Sequence, residues 1–206
     1  MIGVIGAGGH AKTAVAIIQR CCSNEKIVFF SDSSNSFFKD YQLFPADLHS
    51  LLSMQEKIHH WHIALGDIQK RKRFEKELTE HNLPLKTLVH PGSIIEKSVD
   101  IGHGSIVVGG AIINSCSTIG KCCIINTAAT IDHDCSISDF VNIGPGCHLA
   151  GNVEVGKETD IGTGAIIIPG IKVGRNCKIG AGAVIISDIP EDSMAVGVPA
   201  RIIRRI

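Results

Sequence analysis

A strict six-residue spacing of aliphatic residues runs through the second half of this 206-residue chain. Every sixth position from Ile95 to Ile185 is Ile, Val or Leu, with no change of register. The sixteen positions are Ile95, Ile101, Val107, Ile113, Ile119, Ile125, Ile131, Ile137, Ile143, Leu149, Val155, Ile161, Ile167, Val173, Ile179 and Ile185. A fixed period of this kind is typical of proteins built from stacked repeats. It constrains the fold more strongly than any local propensity does.

Two further regularities accompany the aliphatic positions. The fourth residue after an aliphatic position is mostly small or β-branched. Examples are Ser105, Ala111, Ser117, Cys123, Ala129, Cys135, Cys147, Thr159, Ala165, Cys177 and Ala183. Glycine often follows the aliphatic residue directly, as at Gly102, Gly120, Gly144, Gly156, Gly162, Gly174 and Gly180. Each unit therefore combines an aliphatic residue, a tight turn and a small residue suited to a corner.

The six-residue period excludes the two commonest repeating structures. An α-helix needs a period of about 3.6 residues, and a sheet of hairpins needs turn signals about every 8–12 residues. A parallel β-helix fits, because six residues supply one short strand and one bend. Three units would close a triangular coil of eighteen residues, and coils would stack about 4.8 Å apart. The sequence predicts a prism with the aliphatic residues facing inward.

The first ninety residues follow a different pattern. An apolar run at Ile2 to Ile5 leads into a glycine-rich turn and then an amphipathic stretch that ends near Arg20. This order indicates a strand, a turn and a helix. Later segments predict two more strands, a charged surface helix and a fourth strand, at 27–30, 62–65, 68–81 and 85–89.

Alternating strands and helices at this spacing indicate a small parallel α/β sheet of Rossmann type. The change of pattern places a domain boundary near residues 88–91. We therefore expect a Rossmann-like domain over residues 1–89 and a β-helix domain with a C-terminal tail over residues 90–206.

The glycine-rich turn, Gly6-Ala7-Gly8-Gly9-His10-Ala11, suits a nucleotide. A glycine turn that opens a helix exposes N–H groups at the positive end of the helix dipole, where a phosphate binds well. The turn fits a relaxed G-x-G-x-x-A dinucleotide pattern, with Asp32 near the position of a ribose-binding carboxylate. The alternative is that the glycines only permit close packing of helix and strand.

Composition limits the kinds of binding partner and the cellular location that we expect. Lys and Arg total 20 and so do Asp and Glu, which disfavours nucleic acid as a partner. The chain start lacks a basic n-region and no apolar run reaches the length of a membrane span, so a cytoplasmic location is expected.

The eight cysteines of the chain include no CxxC pair. Four of them, at 123, 135, 147 and 177, occupy corner positions, so we expect buried small residues and no metal.

Several motifs resemble one family over nearly the whole chain. They are Gly6-Ala-Gly-Gly-His-Ala-Lys12, Ala64-Leu-Gly-Asp67, His90-Pro91, Ile131-Asp-His-Asp-Cys135 and Val196-Gly-Val-Pro-Ala-Arg201. In this order they resemble the two-domain sugar acetyltransferases of the sialic acid O-acetyltransferase type. That group includes bacterial N-acetyltransferases that modify UDP-linked 4-amino sugars.

The resemblance implies details that the repeat does not. It implies a left-handed β-helix, a homotrimer that binds acetyl-CoA between subunits, and a Rossmann-like domain that holds a nucleotide sugar rather than NAD. For the first domain it implies a set of substrate-binding residues, namely Gly8, Gly9, His10, Asp32, Ser33 and Gly66.

His133 is the candidate general base. It lies two residues past Ile131, in neither the inward nor the corner position, so the repeat gives no structural reason for it. Asp132 and Asp134 flank it, and a neighbouring carboxylate favours the imidazolium that forms when a base accepts a proton. The family pattern places the acidic partner directly after the histidine, which selects Asp134. The alternative is a solvent-facing histidine among surface charges.

Gly151 follows His133 by eighteen residues, so its backbone should lie one coil away, about 4.8 Å along the axis. In the family a glycine amide at this motif position lies against the thioester carbonyl. Gly151 is therefore the candidate donor to the oxyanion. A simple turn glycine is the alternative.

Gly151 is thereby assigned to acetyl-CoA, and three more residues are assigned to it as well. Many relatives carry a second histidine nine residues after the catalytic one, where this chain has Asn142. Asparagine can donate a hydrogen bond but does not titrate near neutral pH. Thr163 and Ala181 fall where the family pattern lines the pantetheine channel.

Together these features predict an acetyl-CoA-dependent acetyltransferase that N-acetylates a UDP-linked 4-amino sugar in bacterial surface glycan biosynthesis, with no metal. Alternatives are an O-acetyltransferase acting on sialic acid or a related sugar, and an inactive nucleotide-sugar-binding scaffold. An NAD(P)-dependent enzyme would need a catalytic domain for which the repeat offers no place.

Overall fold

The computed structural model describes residues 1–33 and 36–206. The chain divides into two compact units, Met1–Pro91 and Gly92–Ile206. The first is a small α/β unit with a parallel sheet, and the second is a left-handed parallel β-helix. The predicted fold class is therefore confirmed.

The first unit is built on a four-stranded parallel sheet. Its strands are β1 (Ile2–Ile5), β2 (Ile27–Phe30), β3 (Gln42–Phe44) and β4 (His60–Ile63), arranged in the order β3-β2-β1-β4. β1 and β2 are buried along their whole length, which explains their unbroken apolar sequence. The predicted strand at 62–65 is wrong by two residues, since pairing with β1 begins at His60.

Helices and shorter segments complete this unit. They are α1 (Gly9–Cys21), a 3₁₀ turn (Ser36–Phe38), α2 (Leu48–Ser53), α3 (Ile68–Glu80) and β5 (Leu88–Val89). The predicted strand at 85–89 is shorter than expected, and Leu85 forms only an isolated bridge to Trp61. Both α2 and β3 were missed. None of the helices in the described residues is long and apolar enough to cross a membrane.

The second unit is a three-sided prism. Face 1 contains β6 (Ile94–Ile95), β9 (Ile112–Ile113), β12 (Thr130–Ile131), β15 (His148–Leu149), β18 (Ile166–Ile167) and β21 (Val184–Ile185). Face 2 contains β7 (Asp100–Ile101), β10 (Thr118–Ile119), β13 (Ser136–Ile137), β16 (Glu154–Val155) and β19 (Lys172–Val173). The chain passes from face 1 to face 2 and then to face 3 in every coil.

Face 3 carries the C-terminal end of the chain. It contains β8 (Ile106–Val107), β11 (Ile124–Ile125), β14 (Asn142–Ile143), β17 (Asp160–Ile161) and β20 (Lys178–Ile179). β22 (Ser193–Gly197) adds to β20 in parallel, and β23 (Ala200–Arg205) then pairs with β22 as an antiparallel hairpin.

Strand pairing follows the predicted eighteen-residue coil. Ile131 pairs with Leu149, for example, and Ile137 pairs with Val155. The inward aliphatic residues are buried from Val107 onward. The period thus creates columns, because residues eighteen apart stack on each other along the prism.

Small polar residues at the corners tie neighbouring segments together. The hydroxyl of Ser117 donates to the Asp132 carbonyl at 2.6 Å, and that of Thr159 donates to the Gly174 carbonyl at 2.7 Å. Thiols do the same less strongly, as in Cys147 Sγ to the Gly162 carbonyl at 3.0 Å. The four corner cysteines are buried, as the repeat predicts, and their corner position suits any small side chain with a donor.

Candidate active site

His133 projects from the corner between faces 1 and 2, directly after β12. Its side chain is 60 % exposed, and its Nδ1 lies 2.7 Å from Asp134 Oδ2. Asp134 adopts a left-handed backbone conformation, with φ of 59°, and its N–H donates to the Ser115 carbonyl one coil earlier. This bend lets two consecutive side chains meet, so Asp134 rather than Asp132 is the partner of the ring.

The carboxylates make His133 a stronger base. The hydrogen bond that His133 Nδ1–H donates to Asp134 raises the pKa of His133, and the negative charge of Asp132 raises it further. Both effects favour the protonated ring. Because Nδ1 faces Asp134, Nε2 is the nitrogen left to exchange a proton with another molecule.

Asp132 is held in a different way. Its Oδ1 accepts the N–H of His133 at 2.8 Å and the side-chain N–H of Asn114 at 2.9 Å. The Asn114 bond, followed by the His133 amide, lowers the pKa of Asp132. Asp132 therefore remains an anion next to the histidine without touching its ring.

Gly151 lies one coil beyond His133, as the eighteen-residue spacing predicts. A Cβ built on Gly151 would lie 2.7 Å from His133 Cε1 and 2.8 Å from Nε2, closer than real side-chain atoms approach. Its backbone is not in the left-handed region, so the bend alone does not require glycine. The ring itself excludes a side chain here.

The Gly151 amide is also available as a donor. Its carbonyl accepts a hydrogen bond from Gly170, but its N–H finds no acceptor within residues 1–33 and 36–206. An imidazole and an unpaired N–H thus lie side by side at one corner. This pairing is the arrangement that acyl transfer requires, with a base beside an oxyanion donor.

Gly151 is the one residue assigned to acetyl-CoA that lies beside His133, and the other three lie elsewhere on the same unit. Asn142 is on β14, and Thr163 and Ala181 follow β17 and β20 at the corner between faces 3 and 1. His133 and Gly151 occupy the other edge of face 1. Within one chain, the width of face 1 therefore lies between His133 and the pair Thr163 and Ala181.

In the first unit, the glycine-rich turn leaves open space at a helix start. Gly8 is the N-cap of α1, with no side-chain cap, and a Cβ on Gly8 or Gly9 would meet nothing within 4 Å. Internal packing therefore does not require these two glycines. Exposed N–H groups at the positive helix end suit a phosphate.

His10 follows this turn and is partly buried. Its Nε2 is buried without a hydrogen-bond partner among the described residues. Burial, and secondarily the charge of Arg71, lowers the pKa of His10 to about 4. His10 is therefore neutral near pH 7 and offers a ligand no positive charge.

Arg71 is a residue that the sequence did not single out. The prediction of a charged surface helix is wrong at this position, because Arg71 is only 1 % exposed. Its Nη1 donates to the Leu65 and Gly66 carbonyls at 2.8 and 3.0 Å, which fixes the turn that carries Gly66. Arg71 lies three residues before Phe74 and seven before Leu78, on the buried side of α3, and this helical spacing could have indicated its burial.

Asp32 and Ser33 follow β2, at the carboxyl edge of the sheet. Asp32 Oδ1 accepts the Ala46 N–H at 3.0 Å, and Ser33 exchanges hydrogen bonds with Ser31. Both residues are exposed. Asp32 therefore holds the loop that carries Ala46, and its second oxygen makes no hydrogen bond to the described residues.

A metal centre would need clustered ligands. Across the described ranges, no group of three or more His, Cys, Asp or Glu side chains is placed to hold a metal ion. His148 Nδ1 shares a hydrogen bond of 2.8 Å with the Thr130 hydroxyl, and His62 Nδ1 lies 3.0 Å from the Lys86 carbonyl oxygen. These histidines have structural partners.

Replacement of Asp134 by Asn should lower the pKa of His133. The carboxylate stabilises the protonated ring, and a neutral amide cannot do so, so the ring will lose its proton at a lower pH. An NMR titration of the imidazole, assigned with His133→Asn, measures this shift. Asp139→Asn removes a carboxylate at another corner and should leave the His133 pKa unchanged; an equal shift in both variants would contradict the pairing.

Substitution of Gly151 by Ala should displace the His133 ring. The added methyl would overlap Cε1 and Nε2, while the backbone accepts alanine without strain. We expect the imidazole pKa to fall toward its usual value as the Asp134 bond is disturbed, with the unfolding temperature nearly unchanged. An imidazole titration that matches the unsubstituted protein would show that the ring does not pack on Gly151.

Comparison with known proteins adds independent evidence. Residues 1–78 match the family described as the PglD N-terminal domain. A search of curated proteins found no match.

Solved structures match nearly the whole chain. The acetyltransferase domain of PglB from Neisseria gonorrhoeae, in complex with acetyl coenzyme A, is 34 % identical, with 98 % of each chain covered and a TM-score of 0.93. A mutant of perosamine N-acetyltransferase from Caulobacter crescentus, in complex with CoA and GDP-perosamine, is 33 % identical, with coverage of 98 % and 95 % and a TM-score of 0.90. WeeI from Acinetobacter baumannii is 26 % identical, with coverage of 98 % and 99 % and a TM-score of 0.89.

Identity above 30 % over both units agrees with the motifs and with the geometry of the histidine corner. The chain is an acyltransferase and belongs to the hexapeptide-repeat sugar acetyltransferases of the PglD type.

Proposed function

We propose that this protein transfers the acetyl group of acetyl-CoA to the amino group of a UDP-linked 4-amino sugar. The observation that carries this proposal is the His133–Asp134 pair packed against the unpaired amide of Gly151. Two relatives bind acetyl coenzyme A or CoA, and one of these also binds a nucleotide-linked sugar. The metabolic setting we propose is bacterial surface glycan synthesis.

Direct transfer needs few catalytic groups. The sugar amine attacks the thioester carbonyl, and His133 Nε2 accepts the proton that the nitrogen loses. The Gly151 N–H donates to the oxyanion that forms on the carbonyl oxygen. The C–S bond then breaks, the proton passes to the CoA sulfur, and the new C–N bond remains. Asp134 stabilises the imidazolium between these steps.

An amine rather than a hydroxyl acceptor suits a site with one base. A neutral amine attacks without prior deprotonation, whereas a hydroxyl needs its proton removed as it attacks. Asn142 replaces the second histidine of many relatives, so no second titratable group is assigned here. This reasoning favours N-acetylation over O-acetylation of sialic acid.

The first unit supplies the nucleotide-sugar site in this proposal. Gly8 and Gly9 would hold the phosphates at the start of α1, beside neutral His10. Asp32, Ser33 and Gly66 would line the same carboxyl edge of the sheet. The perosamine N-acetyltransferase in complex with GDP-perosamine matches 98 % of this chain, which supports a nucleotide-sugar site.

We also propose that three copies form the active enzyme. Outward side chains on face 1 are largely apolar, with Ile94 58 % and Ile166 42 % exposed, whereas those of face 2 are polar. His133 lies at one edge of face 1, and Thr163 and Ala181 at the other. If face 1 of each copy turns toward a three-fold axis, the edge that carries His133 in one copy meets the edge that carries Thr163 and Ala181 in the next copy. Residues of two copies then form one site.

The proposed activity is tested with a thiol-release assay. Acetyl-CoA is combined with UDP-4-amino sugars, GDP-linked 4-amino sugars, CMP-sialic acid and free sialic acid. We expect CoA release with the UDP-4-amino sugars, and a loss of at least about 100-fold in kcat for His133→Asn, since a general base contributes about that much. Preference for sialic acid would support O-acetylation instead. No release with any sugar, despite binding of acetyl-CoA, would favour the inactive scaffold.

Assembly is tested by charging face 1. Ile166→Lys would place a cation in the apolar surface that a trimer buries, so the trimer should dissociate to monomers. Analytical ultracentrifugation measures the mass. Ser136→Lys changes the equivalent outward position on face 2 and should leave the trimer intact. A monomeric unsubstituted protein, or dissociation caused equally by both changes, would contradict this interface.

A further inference from the structure

We propose that Asn114 is a positioning residue for the base His133, acting through Asp132. This inference rests on the function proposed above, in which His133 accepts the proton. Asn114 lies one coil before Asp132, and its Nδ2 donates to Asp132 Oδ1 at 2.9 Å. The same oxygen accepts the His133 N–H at 2.8 Å. One carboxylate oxygen therefore links the asparagine to the backbone of the base.

The link fixes Asp132 from two sides. Ser117 Oγ donates to the Asp132 carbonyl at 2.6 Å, and the Asp132 N–H donates to the Leu149 carbonyl at 3.0 Å. Those bonds hold the main chain, whereas only Asn114 and His133 hold the carboxylate among the described residues. Loss of the Asn114 donor would free the carboxylate to rotate away from the His133 amide.

Orientation of the His133 backbone matters because the ring has little freedom. It is confined between Asp134 on one side and the Gly151 backbone on the other. A small rotation of the His133 peptide would lengthen the bond to Asp134 or move Nε2 away from the Gly151 N–H. Misplacement of a catalytic group by about 1 Å can cost about 100-fold in rate.

The amide side chain is chemically specific at this position. Residues stack every eighteen positions, so Asn114 lies between Glu96 and Asp132 in one column. An amide can donate toward Asp132, whereas an aspartate of the same shape could only repel it. Asn114 itself is anchored by its N–H, which donates to the Ile131 carbonyl at 2.9 Å.

A hydrogen bond that only links two coils, away from the base, should not affect catalysis when it is removed. Asp139 Oδ1 accepts the Lys121 N–H at 3.1 Å across the same eighteen-residue step, but at the corner between faces 2 and 3. Removal of this bond by Asp139→Ala provides a matched control. It disturbs a coil-to-coil bond without touching the column of the base.

The first test compares steady-state kinetics of Asn114→Ala, Asp132→Ala and the double variant. We expect kcat to fall about tenfold in Asn114→Ala, with KM for both substrates nearly unchanged, because the lost bond is to a charged group. The double variant should be no slower than Asp132→Ala, since both act through one link. Asp139→Ala should retain full kcat. Additive losses, or an unchanged kcat in Asn114→Ala, would overturn the proposal.

A second test needs no substrate and so stands apart from the proposed activity. NMR hydrogen exchange of the His133 amide should accelerate in Asn114→Ala, because its acceptor is no longer fixed. Unchanged exchange in Asn114→Ala would overturn the positioning role, whatever the sugar assay shows. If the exchange accelerates but the enzyme acetylates no sugar, the proposed function alone is wrong.

Discussion

The backbone hydrogen bonds between coils are the constraint on which the second unit depends. Each coil contributes one short strand to each face and pairs with the strand eighteen residues away, as Thr130 does with His148. The inward position must then be aliphatic and the corner small in every coil. Because register cannot slip in one coil without displacing all others, side chains outside these positions are held in straight columns.

The columns explain how such short segments support precise chemistry. Three neighbouring residues in one coil, Asp132, His133 and Asp134, rest on three in the coil before. Asn114 bonds to the first, and the Ser115 carbonyl bonds to the backbone of the third. Gly151 lies one coil further along the same column, directly against the His133 ring. Rigid coils thus set the position of an exposed imidazole that would otherwise move freely.

The same regularity determined what could be predicted from the sequence. Counting eighteen residues from His133 led to Gly151, and the six-residue grid led to the fold and the buried cysteines. The same count from Asp132 leads to Asn114, but no sequence rule says that its amide faces a carboxylate. In the first unit no period exists. The edge strand β3 depends on tertiary contacts between distant segments, which local patterns do not encode. The burial of Arg71 was indicated only by its helical spacing with Phe74 and Leu78.

A regular prism also limits what one chain can bind. A ligand of the size of acetyl-CoA is bound in a concave site that covers most of its surface. The repeat places His133 and Gly151 at one edge of face 1 and places Thr163 and Ala181, which are assigned to acetyl-CoA by the resemblance, at the opposite edge. In the trimer proposed above, an edge of a neighbouring copy would complete a cleft, and the apolar outward side chains of face 1 offer the surface on which that copy would pack. Assembly and catalysis are therefore coupled in the mechanism proposed here, because the repeat that orients His133 also keeps it apart from Thr163 and Ala181 on the same chain.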